Sequence, residues 1–317
     1  MVIWQNGEFV TWEKATVHVL THALHYGSAI FEGIRAYRTK NGGTSIFRLD
    51  AHLQRLFNSA KIHMLDVPWT AGELSTACQD LLRLNKLNEA YLRPIIYIAA
   101  AETPTQGKKT NRLSVDPTGL PIHAAIGAWK WEDYLGTSHK EPHHMVGTDK
   151  GVKTIVSSWQ RIDSNTLPPA AKTAGNYVNS VFAQREARLA NAHEAILLNK
   201  AGMVTDGSGE NIFVVKNGKL LTPPLSAGCL EGVTRDSLLT LARDLSIPTA
   251  EPDLPRTDLY TADEAFFSGT AVEMAPIASV DGRTLHAPGP IFEKLRKALN
   301  TVIRGETTDY AEWRYPV

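Results

Sequence analysis

The chain has 317 residues, and its 33 Lys and Arg balance 33 Asp and Glu, so the formal charge is zero. A neutral chain lacks the excess positive charge that draws proteins to nucleic acids or anionic membranes, and we expect neither as a partner. The 43% hydrophobic and 21% charged content is typical of a folded globular protein of about two domains.

The cysteines and the N-terminal residues indicate the compartment. Cys78 and Cys229 are far apart in the chain, which favours neither a disulfide framework nor a zinc site. The first residues contain no signal-peptide apolar segment, and no apolar run approaches the roughly 20 residues that span a bilayer. We therefore expect a cytoplasmic protein.

Two hairpins are predicted near the N-terminus. Asn6-Gly7 separates short strands over 3–5 and 8–10, because this dipeptide supplies the two positive φ angles of a tight turn. Strands over 33–39 and 44–48 flank Asn41-Gly42-Gly43. These two pairs predict antiparallel pairing at the start of the fold.

Helices and strands then alternate up to residue 129. Apolar residues recur at helical spacing from Asp50 to Met64, and Thr70 with Glu73 predicts a capping box before a helix that ends near Leu87. A strand over 91–101 contains Pro94, which suits an edge strand or a strand start. Another strand is predicted over 123–129.

Residues 136–150 are polar and broken by Gly and Pro, so we predict a linker there between an N-terminal domain (1–135) and a C-terminal domain (151–317). The histidines of this segment, His139, His143 and His144, lack the spacing of metal ligands, and we expect no metal site.

The second half predicts a further mixture of strands and helices. A helix over 176–191 places Val178, Val181, Phe182 and Leu189 on one face. Further strands are predicted over 152–157, 194–199, 211–216, 219–221, 264–268 and 278–285, and further helices over 234–245 and 291–303. Hairpins outnumber strand–helix–strand units, which favours an α+β fold.

Lys172 is the most unusual charge in the chain. It is the only acidic or basic residue between Ser164 and Gln184. An apolar setting disfavours the ammonium form, as an imine-forming nucleophile requires. The segment alone favours a solvated lysine in a loop, because most lysines lie on the surface.

Three other segments carry residues suited to a phosphorylated cofactor. TDGSGEN (205–211) places Asp206 and Glu210 around glycines, although a plain turn explains it as well. GCLEGVTRD (228–236) leads into a predicted helix whose free N–H groups suit a phosphate, or it is an ordinary cap. Arg55 reaches inward to an anion or extends over the surface. Dinucleotide, P-loop and serine-hydrolase motifs are absent from the sequence.

Taken together, these segments resemble the branched-chain amino acid aminotransferases, which are pyridoxal-phosphate enzymes of fold type IV. The resemblance extends over almost the whole chain. It is carried in order by HALHYGSAIFEGIRAY, HLQRLFNSAKIHML, AYLRP, SSWQRIDSNTLPPAAKTAGNY, TDGSGENIF, EGVTRD and SGTAVEMAP. It implies an α+β protein of two α/β-type domains with mixed and antiparallel sheets.

The resemblance implies that Lys172 holds pyridoxal 5'-phosphate as a Schiff base and carries the proton during catalysis, while the cofactor supplies the electron sink. Tyr177 would bond the phenolic oxygen. Asp206, where the family typically has Glu, would partner the ring nitrogen, with Glu210 as the alternative. The implied phosphate and cofactor-loop contacts are Arg55, Leu230, Val233, Thr234 and Thr270.

The implied substrates are leucine, isoleucine and valine with 2-oxoglutarate, in a homodimer or higher homo-oligomer. Tyr26 would come from the neighbouring subunit, and Arg93 or Arg35 would accept the distal carboxylate of glutamate. The implied substrate contacts are Tyr26, Phe31, Arg35, Tyr91, Arg93, Trp131, Thr270 and Ala271. Within the fold, a D-amino acid aminotransferase, an R-selective amine transaminase and an aminodeoxychorismate lyase are alternatives. A catalytically silent binding protein is an alternative of another class.

Overall fold

The computed structural model describes residues 1–101, 113–131 and 151–317. The predicted linker 136–150, with its histidines, lies outside the described residues. The chain divides into two compact units, which are described separately. The first comprises 1–130, 171–176 and 312–317, and the second comprises the described residues of 131–170 together with 177–311.

This division differs from the expected one in two places. The segment 171–176, which carries Lys172, and the last six residues belong to the first unit. The reason is backbone pairing: Thr173 bridges Ile30, and the C-terminal strand pairs with the strand at 44–47.

The first unit combines one large sheet with two long helices. Its helices are α1 (His22–Tyr26), α2 (Leu49–Ile62) and α3 (Ala71–Asn85). Its strands are β1 (Val2–Gln5), β2 (Glu8–Thr11), β3 (Ala29–Phe31), β4 (Ile34–Arg38), β5 (Thr44–Phe47), β6 (Ala90–Ile98), β7 (Ile122–Lys130) and β17 (Arg314–Pro316). The strand order is β17-β5-β4-β6-β7-β1-β2, and β3 also pairs with β6.

The local signals of this unit are confirmed. Asn6 and Gly7 have φ angles of 51° and 96° in the β1–β2 turn. Thr70 and Glu73 form a complete capping box at the start of α3. Leu53, Leu56 and their neighbours on α2 pack with α3 and the sheet into one apolar core.

The prediction that Pro94 marks an edge or a strand start is wrong. β6 is a central strand that pairs with β7 on one side and with β3 and β4 on the other. Pro94 lies opposite the break between β3 and β4, where its carbonyl accepts from the backbone N–H of Glu32 at 2.8 Å. A residue without an N–H fits there because the ladder is already interrupted.

The second unit is built on a mixed sheet. Its helices are α4 (Tyr177–Leu189), α5 (Val233–Asp244), α6 (Arg256–Tyr260) and α7 (Pro290–Ile303). Its strands are β8 (Val152–Val156), β9 (Glu194–Leu198), β10 (Val204–Gly207), β11 (Asn211–Lys216), β12 (Lys219–Leu221), β13 (Thr249–Ala250), β14 (Glu264–Gly269), β15 (Glu273–Val280) and β16 (Arg283–Thr284).

This sheet closes on itself. The order β10-β9-β8-β15-β14-β11 returns to its start because β10 also pairs with β11. Asp206 and Asn211 are the pair that closes it. The enclosed side chains, including Ile212, Phe267 and Ile277, are fully buried.

The apolar face predicted on α4 is present but uncovered. Val178, Val181, Phe182 and Leu189 are all exposed, while Ser180, Ala183 and Ala187 are buried. Phe182 stacks on Trp159, with ring centroids 4.9 Å apart. Helical periodicity finds the face of a helix but does not say which face is inside. No helix in the described ranges is long and apolar enough to cross a lipid bilayer.

Candidate active site

The segment that carries Lys172 is attached to the first unit at β3 and at α2. Thr173 bridges Ile30 in β3, and Phe31 donates its backbone N–H to the Lys172 carbonyl at 3.0 Å. The backbone N–H of Lys172 donates to Ser59 Oγ on α2, also at 3.0 Å. The lysine backbone is therefore fixed from two elements.

Lys172 and Arg93 both lie against the ring of Phe31. Lys172 Nζ is 4.9 Å and Arg93 Cζ 4.8 Å from the ring centroid. Cations this close to an aromatic ring are attracted by its quadrupole. Arg93 also donates from Nη2 to the hydroxyl of Tyr91 at 2.9 Å. The structure thus brings four of the predicted residues together in one cluster.

Tyr91 is wedged between its neighbours in this cluster. A Cβ at Gly33 would lie 2.0 Å from the Tyr91 oxygen, so only glycine fits there. Tyr91 is paired with Arg35 on β4 and with Trp129 on β7, whose ring centroid is 5.2 Å away. Sequence analysis missed Trp129. It ends the strand predicted over 123–129 and lies two residues before Trp131, a spacing that in extended chain puts both rings on one face and is a usable signal.

Arg55 points into the protein and is held by a carboxylate. It donates to Glu32 from Nε at 2.7 Å and from Nη2 at 2.8 Å, and His52 Nδ1 lies 2.8 Å from the same carboxylate. Burial would raise the pKa of Glu32, but Arg55 and His52 outweigh it and hold that pKa well below its usual range. Burial lowers the pKa of His52, although Glu32 opposes the shift. Glu32, which the sequence analysis did not single out, therefore orients Arg55.

The remaining predicted substrate residues, Tyr26, Arg35 and Trp131, range from exposed to half-buried. Tyr26 ends α1 and is 44% exposed, with its ring 4.6 Å from that of His22. The guanidinium of Arg35 lies 4.7 Å over the ring of Tyr37. Trp131, at the boundary of the second unit, directly follows β7 and is half-buried.

Asp206 is a buried carboxylate of the second unit. It is 4% exposed, and its Oδ1 accepts from Thr205 Oγ1 at 3.0 Å. Arg161 Nη2 lies 3.3 Å from Oδ2. A cation this close to a buried carboxylate favours its charged form. Arg161 belongs to the SSWQRID segment but was not among the predicted site residues.

Glu210 has a different local role. Its Oε2 accepts from the backbone N–H of Gly209 at 3.1 Å, and its carbonyl accepts from that of Gly207 at 2.7 Å. These bonds close the turn between β10 and β11. The two acidic residues of the TDGSGEN segment are thus distinguished by burial, because Asp206 alone is fully inside.

The start of α5 has the form of an anion site. Gly232 is its N-cap, and Val233 and Thr234 are both buried. The first N–H groups of a helix have no partners within the helix, and the helix dipole favours negative charge beside them. Asn211 Nδ2 donates to the Leu230 carbonyl at 2.8 Å and so ties the incoming loop to β11.

The position of Asn211 in this hydrogen bond leaves no room for a side chain at Gly232. A Cβ on it would lie 1.9 Å from Asn211 Oδ1.

Thr270 and Ala271 form the turn between β14 and β15, and Tyr177 is the first residue of α4; all three are half-buried. The second unit therefore presents a buried carboxylate, a helix start and a short turn.

The comparisons with known proteins agree in one family. The family model described as amino-transferase class IV matches residues 29–280. A branched-chain-amino-acid aminotransferase of Pseudomonas aeruginosa is 42% identical over 315 residues, which cover 99% of this chain and 96% of that protein.

Solved structures agree with the sequence match. The crystal structure of the Escherichia coli branched-chain amino acid aminotransferase superposes with a TM-score of 0.90 at 41% identity, covering 99% of this chain and 98% of that one. The branched-chain amino acid aminotransferase from Thermobaculum terrenum, solved in its PLP-form, gives a TM-score of 0.88 at 34% identity, with 99% and 97% coverage. The predicted α+β, fold type IV architecture is confirmed, and this chain belongs to the class IV aminotransferases.

Proposed function

We propose that this protein is a branched-chain amino acid aminotransferase that transfers the amino group of leucine, isoleucine or valine reversibly to 2-oxoglutarate, with pyridoxal 5'-phosphate bound through Lys172. One observation carries the proposal. Lys172 Nζ and the Arg93 guanidinium lie 4.9 and 4.8 Å from the centroid of one Phe31 ring. An amine for chemistry, an apolar face and a cation for a second carboxylate thus meet at one place.

The residues of the second unit fit the cofactor. The start of α5, behind the side-chain-free Gly232, suits a phosphate, and the buried Asp206 carboxylate suits a protonated ring nitrogen. Bound there, pyridoxal phosphate supplies the electron sink for a carbanion at the substrate Cα. We assign Thr270 and Leu230 with Val233 and Thr234 to the phosphate loop, and Tyr177 to the phenolic oxygen.

Arg55 is also assigned to the phosphate. Glu32 accepts one bond from its Nε and one from its Nη2, which fixes the plane of the guanidinium. A planar guanidinium carries five N–H donors, so donors remain for an anion after both bonds to Glu32 are made.

Asp206 is our choice over Glu210 for the ring nitrogen. Arg161 Nη2 lies 3.3 Å from Asp206 Oδ2 and favours the charged carboxylate, whereas Glu210 bonds the backbone of its own turn. A charged carboxylate is needed to keep a pyridine nitrogen protonated. An aspartate with a fixed partner therefore serves where the family typically has the longer Glu.

The substrate side is assigned to the first unit together with Thr270 and Ala271. Phe31, Tyr91 and Trp131 supply aromatic surface for a branched aliphatic chain. Arg93, whose Nε is buried without a hydrogen bond among the described residues, supplies a donor for the distal carboxylate of glutamate. Tyr26 and Arg35 complete the proposed contacts.

A homodimer or larger homo-oligomer is part of the proposal, as is a cytoplasmic location. The first unit has an open cavity of about 750 Å³ beside exposed apolar residues of its N-terminal segment. Trp12, Val19 and Leu24 are 58%, 69% and 62% exposed. Large apolar surfaces of this kind are usually covered by a protein partner. Tyr26 ends α1, the helix that carries Leu24, and is 44% exposed.

An amino-donor panel tests the activity. With 2-oxoglutarate as acceptor, L-leucine, L-isoleucine and L-valine should be converted far faster than D-alanine or (R)-1-phenylethylamine. Faster conversion of a D-donor or of the amine would replace the proposed substrate class by one of the alternatives within the fold. Lys172→Ala is the control, because it should lose both turnover and the cofactor that borohydride fixes to the protein. A wild-type protein that binds no chromophore would favour the silent binding protein.

A further inference from the structure

A polar stripe runs along the buried side of α2. His52, Arg55, Ser59 and His63, the last at the C-terminal boundary of the helix, follow one another at spacings of three, four and four residues, which places them on one helical face. The rest of the buried surface of α2 is mainly apolar, and Leu49, Leu53 and Leu56 enter the core. Polar groups in such a position require partners, because an unsatisfied buried polar group costs about 1–3 kcal/mol.

In the first half of the stripe, His52 and Arg55 bond Glu32. In the second half, Ser59 and His63 bond the segment that carries Lys172. Ser59 is fully buried; its Oγ donates to the Arg55 carbonyl at 2.9 Å and accepts from the backbone N–H of Lys172 at 3.0 Å. His63 Nε2 lies 2.7 Å from Thr173 Oγ1. Two successive residues of the lysine segment are thus bonded to two successive positions of the stripe.

The lysine segment, residues 171–176, has little regular pairing with the sheet. It joins β3 through an isolated bridge, between Ile30 and Thr173, rather than through a ladder. A short segment that is bonded to a neighbouring strand along only one of its edges can rotate about its own axis. The hydrogen bonds to Ser59 and His63 oppose that twist, since they attach the segment to a second, rigid element.

We propose that Ser59 and His63 are positioning residues for Lys172, which fix the backbone from which its side chain reaches the cofactor and the substrate. The inference rests on the proposed function, because it assumes that Lys172 carries the chemistry. Neither side chain needs to touch a reacting atom. Displacement of a reacting group by about 1 Å can lower a rate about 100-fold, so loss of either bond should appear in the rate of chemistry.

The test compares Ser59→Ala and His63→Phe with the wild-type holoenzyme. We expect kcat to fall roughly 10- to 100-fold while the KM for leucine changes less than about twofold. We also expect slower attachment of added pyridoxal phosphate to the apo-protein, followed by visible absorbance and borohydride trapping. His63→Gln should recover most of the rate, because its amide can still bond Thr173 Oγ1.

Ser45→Ala is the matched control. Ser45 is a buried serine of the same unit, and its Oγ has no hydrogen-bond partner among the described residues. Its removal should leave attachment and turnover unchanged. Wild-type attachment rates and kcat in Ser59→Ala and His63→Phe would overturn the inference.

A double-mutant cycle separates positioning from general loss of stability. The effects of His63→Phe and Thr173→Val on the attachment rate should be strongly non-additive, because each removes the same bond. Additive effects would contradict the inference. The attachment assay uses no amino acid, so a protein that attaches pyridoxal phosphate but converts none of the branched-chain donors would overturn the proposed function and not this inference.

Discussion

The contacts of Arg93 bear most directly on which substrates the proposed site accepts. It lies against the rings of Phe31 and Tyr91, with Cζ 4.8 and 5.2 Å from their centroids, and it bonds the Tyr91 hydroxyl. An arginine stacked between aromatics keeps its edge available for a carboxylate. In the proposed substrate site, an aliphatic side chain would lie on the rings and an acidic side chain on the guanidinium.

Arg93→Ala should therefore separate the two half-reactions. We expect kcat/KM for glutamate to fall roughly 10- to 100-fold more than for leucine, because a hydrogen bond to a charged group contributes about 1.5–3 kcal/mol. Steady-state kinetics with each donor measure the difference. Arg38→Ala, at the exposed end of β4, is the control. Equal losses for both donors would show that Arg93 does not bind the distal carboxylate.

At the scale of elements, the start of α5 depends on the close packing of Asn211 against Gly232. Asn211 holds the Leu230 carbonyl, and its Oδ1 fills the volume that a side chain at position 232 would need. The position of the first residues of α5 therefore depends on a side chain of β11.

Gly232→Ala should weaken cofactor retention without unfolding the protein. The new methyl group must displace Asn211 and break its bond to Leu230, at a cost of about 1–3 kcal/mol, which corresponds to a rise of roughly 5- to 150-fold in the dissociation constant of pyridoxal phosphate. Absorbance after dialysis measures retention. Gly43→Ala, which meets only Thr39 Oγ1 at 3.6 Å, is the control. Unchanged retention would mean that the loop before α5 does not hold the phosphate.

Turns and helix caps that are determined by residues close together in the chain can be predicted from the sequence. The Asn6-Gly7 turn and the Thr70–Glu73 capping box are determined by neighbouring residues, so they are predicted from sequence. The place of Pro94 is not, because it depends on a gap between β3 and β4, which are distant from it in the chain.

The same distinction applies to the candidate site. Lys172 stands out in the sequence because its neighbours are apolar, and the motifs around it identify a family. The bonds from Lys172 to Ser59 and from Thr173 to His63, each joining residues more than 100 positions apart, arise only when the chain folds. Arg161 escapes notice for the same reason, since only folding brings it to Asp206.

At the scale of the whole molecule, the exposed apolar surface of the first unit is the feature to explain. Leu24, Val17 and Trp12 all line the open cavity and are largely exposed. Burying such side chains between two copies would contribute about 25 cal/mol for each Å² of apolar surface removed from water.

Leu24→Glu should dissociate the proposed oligomer. A carboxylate at an apolar interface loses its hydration without gaining a partner, so the subunits should separate in analytical ultracentrifugation. Leu84→Glu, on the exposed side of α3 and away from the cavity, should keep the wild-type mass. A monomeric wild-type protein would refute the homo-oligomer, and an unchanged mass for Leu24→Glu would move the interface elsewhere.

The closure of the second sheet has a consequence for the distance between two of the proposed cofactor contacts. Asp206 and Asn211 face each other as the single closing pair between β10 and β11. One is assigned to the ring nitrogen, and the other anchors the loop assigned to the phosphate. The distance between the two proposed cofactor contacts would therefore be set by one residue pair of the sheet, and a slip of one residue in either strand would turn the side chains of that strand to the opposite face. The length of cofactor that fits between these proposed contacts would then depend on the register of β10 and β11.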